Sequence, residues 1–565
     1  MILSAEITEK SFGNKILMSN VRLNVDDGEK IGVIGRNGIG KSTLFGILTG
    51  ADKDFTGEIV YSRGAVVAST QQEYSNVGEQ NVLEFILNDL PEYAHLHKLI
   101  TELPLTMGDD LVEIEKYSDA LERFQQKNFH FIEEKIIGEL ANFSLAGFES
   151  KKMNQLSGGQ KRLVDTIKII YSQADLALVD EPTNFMDYAA KNRFLDWMKT
   201  TKGAMLVITH DRDVLKQVDK IIELCDGETV VFDGNYDAYL KQNAFSTTNK
   251  MSDYESTQRR IANLRVKARE YQRMKERARD PGTIQRFKRL ENNARTELAQ
   301  LEEVKKPTFW IDKEHVDNLD YRAAKSYEKF KARNVKISVD NSTEKSRRSL
   351  VRSEKLALGY GELMDAIEGK NGAKLLFENL NFDLKVGGII ELHGRNGAGK
   401  SSLIKAILHP NSPTTPSIYD GEIQIDPNVV IGEYAQEITP EFFNTSLKAA
   451  VEKVYLDQNL EISETKIRQI LHQYLFNEGD FDLPIARLSG GQKARFQLIK
   501  MLSRDPNLLI LDEPTSHLDL PSIEELESAL KKYSGAVLFV SHDEYFRQAM
   551  KKTDKDYRVV EIGDS

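Results

Sequence analysis

GRNGIGKS at Gly35–Ser42 returns as GRNGAGKS at Gly394–Ser401, and three further strings follow each copy in the same order. LSGGQK stands at Leu156–Lys161 and again at Leu488–Lys493; LALVDEPTNFMD is answered by LLILDEPTSHLD, and VITHD by FVSHD. Leu156 to Asp180 spans 24 residues, as does Leu488 to Asp512; Glu181 to His210 spans 29, as does Glu513 to His542. Motifs repeated in order and at constant intervals mean that one domain occurs twice. The repeats are expected over 1–244 and 353–565, with 245–352 between them. One interval differs. Gln72 to Leu156 spans 84 residues but Gln436 to Leu488 only 52, so the first copy carries about 32 extra residues within 85–135. Apolar residues at helical spacing there predict a small helical arm, with ordinary variation in subdomain length as the plainer alternative.

GRNGIGKS follows the apolar run KIGVI and precedes the helix-like TLFGIL. Strand, glycine-rich loop and helix in that order make a phosphate-binding loop. Gly35, Gly38 and Gly40 let backbone N–H groups turn toward phosphate, beside Asn37, and the helix N-terminus adds partial positive charge. Lys41 is placed to reach the terminal phosphates, Ser42 to give a hydroxyl to Mg²⁺, and Thr43 to follow it. Gly394, Asn396, Gly397, Gly399, Lys400, Ser401 and Ser402 repeat the set. The class implied is α/β, twice over.

LALVDE and LLILDE are short apolar strands that end in paired acids. Asp180 and Asp512 are the candidates for the Mg²⁺ shell; Glu181 and Glu513 are the candidates to polarise an attacking water. His210 and His542 end strand-like runs at constant distance from those glutamates and suit a γ-phosphate sensor. Gln72 and Gln436 follow short strands and could reach the metal or the water; Gln72 is preferred over Gln71 because its Gln-Glu step matches the second repeat. Phe12 and Tyr360, about 23 and 34 residues before each first loop glycine, suit stacking on a nucleobase, the alternative being an aromatic in a strand core.

This set, in this order, resembles the ATP-binding cassette superfamily, and the resemblance covers nearly the whole chain. It implies two cassettes, with each ATP held between the phosphate loop of one and the LSGGQ signature of the other. Lys41, Asp180 and Glu181 would then work with Ser489, Gly490, Gly491 and Gln492, and Lys400, Asp512 and Glu513 with Ser157, Gly158, Gly159 and Gln160. Both copies keep the glutamate and histidine, so two hydrolytic sites are implied. NFMD (Asn184–Asp187) departs from SHLD (Ser516–Asp519): Phe185 replaces the more usual histidine in the loop joining the sites, which puts equal cross-talk in doubt.

The segment between the repeats contrasts with the rest. The chain has a formal charge of −11, yet ten of the twenty-five residues 265–289 are Lys or Arg and three are acidic. Ile261, Leu264, Ala268, Tyr271, Met274 and Ala278 step by threes and fours, as do Ile284, Phe287, Leu290, Ala294, Leu298 and Leu301. Two apolar stripes predict an antiparallel helical hairpin over about 252–305. DPGT (Asp280–Thr283) is expected to break it into an apex near 279–283, on arms of roughly 30–40 Å. Pro307 leaves open an apex in a longer hairpin. A basic projection on an acidic body suits a polyanion met at one place.

Two cassettes on one chain, joined by a long charged helical linker and carrying GNYDAYL (Gly234–Leu240), are similar to the ABC-F proteins. That resemblance implies a ribosome-associated ATPase whose linker contacts rRNA and the peptidyl-site tRNA. Arg269, Arg273, Lys275, Arg277, Arg279, Arg286, Lys288 and Arg289 are the RNA-contact candidates. Regulation or rescue of translation is the expected role, with protection against ribosomal antibiotics as the alternative and service to a membrane transporter the remote one. No run nears the roughly 18 apolar residues of a membrane helix, and no signal-peptide pattern opens the chain. Cys225 is the one cysteine, so no internal disulfide forms. A cytosolic monomer, its cassettes paired within the chain, is expected.

Overall fold

The computed structural model describes residues 1–12, 15–71, 79–106, 108, 110–225, 227–302, 348–362, 373–410, 412, 414–435, 438–516, 518–553 and 555–563. In the first repeat the strands Val67–Ser69, Leu176–Asp180, Ala204–Ile208, Lys30–Gly35 and Lys220–Cys225 lie parallel in that spatial order, and Glu228–Asp233 closes the edge antiparallel. The second repeat orders Ile431–Tyr434, Leu508–Asp512, Ala536–Val540, Ile389–His393 and Tyr557–Glu561 in the same way. These strands are the short apolar runs of the sequence, and the central ones are buried up to the half-buried Asp180 and Asp512 that end two of them, as a parallel sheet covered on both faces requires. A three-stranded antiparallel sheet packs beside each. It is Lys15–Val25, Leu3–Phe12 and Thr56–Tyr61 in the first repeat, and Lys374–Lys385, Ser349–Tyr360 and Ser417–Ile425 in the second. The two sheets of the first repeat share one core, in which Leu3, Ile7, Val21, Phe45, Leu178 and Leu206 are buried together. The α/β tandem architecture is therefore as expected.

The extra length of the first repeat lies in two helices, Tyr93–Thr106 and Leu111–Gln126, set between Val82–Asn88 and Ile132–Asn142. The second repeat passes from Leu447–Leu456 to Glu464–Gln473 without them. Tyr93, Phe124 and Phe129 pack ring on ring at the base of this arm, with centroids 5.3–5.9 Å apart. Two boundaries differ from expectation. The linker helix Tyr236–Arg277 begins ahead of residue 244, and the first strand of the second repeat begins at Ser349 rather than 353.

The described part of the linker forms a unit of its own from Tyr236. Its first helix has 42 residues, about 60 Å at 1.5 Å per residue, longer than expected because it continues from GNYDAYL without a break. The second is Pro281–Glu302, and the two run side by side. Ile261, Ala268 and Ala294 are buried in the seam. Met274 is not; it is exposed, and Lys275 turns inward instead. DPGT is also different in kind. Pro281 and Gly282 do not break the helix but begin it, and Asp280 caps it, its carboxylate accepting from the Thr283 N–H (2.8 Å) and hydroxyl (2.9 Å). Proline suits the first helical position because its missing N–H is not needed there. The turn is Ala278–Asp280. Asp280→Ala is expected to speed amide exchange over 282–284 while leaving the cassettes' exchange unchanged, measured by hydrogen–deuterium exchange. Equal exchange in both proteins would remove the cap from the account. Pro307 and the rest of 303–347 lie outside the described residues.

Candidate functional site

Lys30–Gly35 delivers the first phosphate loop to the carboxyl end of the sheet, the crevice where ligands meet open α/β sheets. Lys41 opens the helix Lys41–Leu48, with Gly40 before it at φ 115°. A β-carbon at Gly40 would press on Met18 at 2.8 Å, so glycine serves both conformation and space. Lys41 is buried, and its ammonium donates to the Gly35 (2.6 Å) and Arg36 (3.3 Å) carbonyl oxygens. Lys400 does the same to Gly394 (2.6 Å) and Arg395 (2.9 Å). Burial lowers both ammonium pKa values, against the pull of the acids nearby. The Ser401 hydroxyl donates to Asp512 (2.9 Å), and the Tyr360 hydroxyl lies 3.2 Å from that of Ser402. Tyr360 thus reaches the loop helix. The Phe12 side chain, Gln72 and Gln436 lie outside the described residues. Gln71 is described, its N–H donating to Asp165 (2.5 Å).

Asp180 and Asp512 end their strands, and the next residue in each repeat takes a rare backbone shape. Glu181 has φ 46° and Glu513 φ 49°, a left-handed conformation that costs a non-glycine residue about 1–3 kcal/mol and concentrates at functional sites. The bend sets each carboxyl toward the switch histidine, with Glu181 Oε1 to His210 Nε2 at 3.7 Å and Glu513 Oε1 to His542 Nε2 at 3.4 Å. Burial, with Asp180 or Asp512 next to it, pushes each glutamate up to about 8. Burial, reinforced by Lys41 or Lys400, brings each histidine down to about 3. The histidines are therefore neutral imidazoles, and neither contact is an ion pair. Both ring nitrogens of His210 are buried without a hydrogen-bond partner, so this donor–acceptor side chain is left for what enters the cleft.

The two repeats complete one another. Gly38, Gly40, Lys41, Ser42, Thr43, Asp180, Glu181 and His210 of the first line a cleft of about 510 Å³ together with Ser489, Gly490 and Gly491 of the second. A β-carbon at Gly491 would strike the side chain of Asn37. On the other side, the Asn396 side-chain amide donates to the Phe185 carbonyl (3.1 Å), and Phe185 lies where a β-carbon on Gly159 would come within 2.7 Å of its ring. Ser157 and Ser489 cap the signature helices, each hydroxyl accepting from the N–H of Gln160 or Gln492 at 3.3 Å. Each serine O–H proton remains to be donated outward. The two glutamines have a structural part as well. Their side chains return to the Ser157 (3.0 Å) and Ser489 (2.9 Å) N–H groups as halves of capping boxes.

A family model described as ABC transporter matches residues 18–184 and 377–516. Over 553 residues the chain is 31% identical to the putative ATP-binding protein YdiF of Bacillus subtilis (strain 168), covering 97% of this chain and 78% of that one. The chain is a member of the ABC-F family. It is also 28% identical to the energy-dependent translational throttle protein EttA of Haemophilus influenzae, over 96% of this chain and 89% of that one. Identity is likewise 28% to ABC transporter F family member 2 of Arabidopsis thaliana, over 99% and 76%. The fold matches the archaeal ribosome recycling factor aABCE1, solved with stalk protein aP1, at a TM-score of 0.56 and 16% identity, over 99% of this chain and 90% of that one. Among the described residues no helix is long and apolar enough to cross a membrane.

For this ABC-F chain the largest omission of sequence reasoning is the pair Asp187 and Asp519. The Asn37 N–H donates to Asp519 (3.0 Å) and the Asn396 N–H to Asp187 (3.0 Å), so each acid reaches the other repeat's phosphate loop. Each also caps the helix that follows it. Burial raises both carboxyls, but hydrogen bonds from Ala190 and Asn396, or from Ser522 and Asn37, outweigh it and hold them below the usual range. Their signal was the shared aspartate ending NFMD and SHLD, read only as a linking loop. On the linker, Arg269, Arg273, Arg277, Arg279, Arg286, Lys288 and Arg289 are exposed. Lys275 is a correction: it is tied to the buried Glu291 across the seam and is not free to meet RNA.

Proposed function

We propose that this chain hydrolyses ATP at two composite sites and uses the closing of its cassettes to set the basic hairpin against the ribosome, acting on translation from the cytosol. The observation that carries the reading is the interlocked pair of faces, Asn37 on Asp519 and Asn396 on Asp187, joined in sequence by a hairpin on which seven of the eight basic candidates are exposed. The residues suit magnesium nucleotide: backbone N–H cradles, a buried ammonium in each loop, and hard oxygen donors at Ser42, Asp180, Ser401 and Asp512. Mg²⁺ held there, with Gln72 and Gln436, would neutralise charge on the phosphates. Glu181 and Glu513 orient the attacking water and, in their ionised form, accept its proton, and His210 and His542 contact the γ-phosphate. Ser157 and Ser489 donate to it from across the interface, so ATP is held only when both repeats are present. Tyr360 and Phe12 are the aromatic candidates that would stack on the nucleobase.

The exposed arginines contact phosphates of rRNA and of the peptidyl-site tRNA, which gives position and salt-dependent affinity rather than sequence reading. The translational role of EttA, as its name states it, supports this direction. The test is co-sedimentation. Glu181→Gln with Glu513→Gln is expected to remain with ribosomes in ATP and to leave them without it. The same distribution in both conditions would overturn the reading.

A further inference from the structure

The catalytic motifs are symmetric between the repeats, but the charges around them are not. Arg212 stands two residues beyond His210 and is 5% exposed. It crosses to the second repeat, where Nη1 lies 3.2 Å from Glu527 and Nη2 3.9 Å from Glu524. Both acids are themselves buried, on the helix that Asp519 caps. The guanidinium also lies over the ring of Tyr545 at 5.1 Å. Lys191 stands on the helix that Asp187 caps, held by Asp211 (2.9 Å) and Asp213 (2.7 Å), with its ammonium 3.5 Å from the carbonyl oxygen of His542 in the other repeat. Each cation therefore joins a switch loop to the aspartate-capped helix of the opposite cassette.

The repeats align without a gap from the signature to the switch histidine, so the equivalent positions are known. Glu544 stands in place of Arg212, Ile523 in place of Lys191, and Asn192 and Leu195 in place of Glu524 and Glu527. If two first repeats met face to face, Arg212 would be buried against Asn192 and Leu195 with neither acid. If two second repeats met, Glu544 would face Glu524 and Glu527. An uncompensated buried charge and a like-charge contact both penalise the wrong partner. We propose that Arg212 and Lys191 form an asymmetric latch, which makes the closed state available to the first cassette only against the second and ties each switch histidine's loop to the opposing site. The partner is the chain's own second repeat. The covalent link between them favours it over a second copy.

The proposal rests on ATP-driven closure, so the test first measures closure without turnover: occluded ATP per chain, and mass in solution, for full-length Glu181→Gln/Glu513→Gln. A parent that occludes no ATP overturns the proposed function and the latch with it. Given a parent that does, adding Arg212→Glu is expected to raise the ATP concentration for half-occlusion about tenfold or more. Adding Glu524→Lys and Glu527→Lys to that variant is expected to restore most of the loss. Arg212→Met, which keeps the packing and removes the charge, should fall between, and it serves if Arg212→Glu does not fold. Half-occlusion unchanged in Arg212→Met and Arg212→Glu would overturn the latch, as would a folded charge-reversed variant that recovers nothing. A parent with the mass of two chains in ATP would overturn the choice of partner.

Discussion

Glu181→Gln together with Glu513→Gln is expected to lower ATP turnover by about 10²–10⁴-fold, the range lost with a positioned general base, while ATP binding is kept. The reason lies in the strand ends. Each glutamate is bent by a left-handed backbone (φ 46° and 49°) toward a switch histidine whose imidazole is neutral. Burial pushes both carboxyls up to about 8, so an amide of the same shape resembles the uncharged form that burial favours. Loss of turnover should therefore come without loss of fold, and the thermal midpoint should be unchanged or higher. Phosphate release and a thermal melt measure the two. Each single variant should keep turnover at the remaining site. Turnover of the double variant within twofold of the parent would remove both glutamates from the chemistry.

Replacing Arg277, Arg279, Arg286, Lys288 and Arg289 together by Ala is expected to weaken ribosome binding without changing ATP turnover. Arg279 lies in the Ala278–Asp280 turn, the other four lie to either side of it, and all five are exposed. If they meet phosphates, the slope of log affinity against log salt should fall by about 0.7–0.9 for each phosphate no longer neutralised. Binding measured at several salt concentrations reads this directly. A loss of affinity with an unchanged slope would mean that the residues act on the hairpin's shape instead. Lys275→Ala should behave differently. It leaves buried Glu291 with Arg295 as its remaining basic partner, so it should loosen the hairpin, seen as faster amide exchange, with little change in salt slope.

These two residues, Lys275 and Arg277, show where reading by pattern ends. Both are basic, both lie near the turn, and nothing local separates them. Lys275 is drawn inward because an acid on the other helix, sixteen residues on, faces the same seam. The seam is set by how the helices roll against each other, which also leaves Met274 in solvent. DPGT was legible as a punctuation mark but not as to which kind. Asp, Pro and Gly serve either a turn or a helix start, and the cap from Asp280 to Thr283 decides for the second.

Motif spacing along the chain determined the duplication, the strand–loop–helix about each lysine, the acids at the strand ends and the helical linker. Each is an arrangement of neighbours within a few dozen residues, and the periodicity of strand and helix is local physics. Only the tertiary structure decided what met across the interface. Asp519 on Asn37, Asp187 on Asn396 and Arg212 on Glu527 join residues hundreds of positions apart. Gln160 and Gln492 proved to be caps for a related reason: the amide oxygen closes its own helix and only the NH₂ group is left to meet a phosphate, a division of labour that the motif does not record. Burial then decided protonation. A carboxyl at a strand end is charged in water, but buried in the fold Glu181 and Glu513 are pushed up to about 8, and no string of letters records how much water the packing removes.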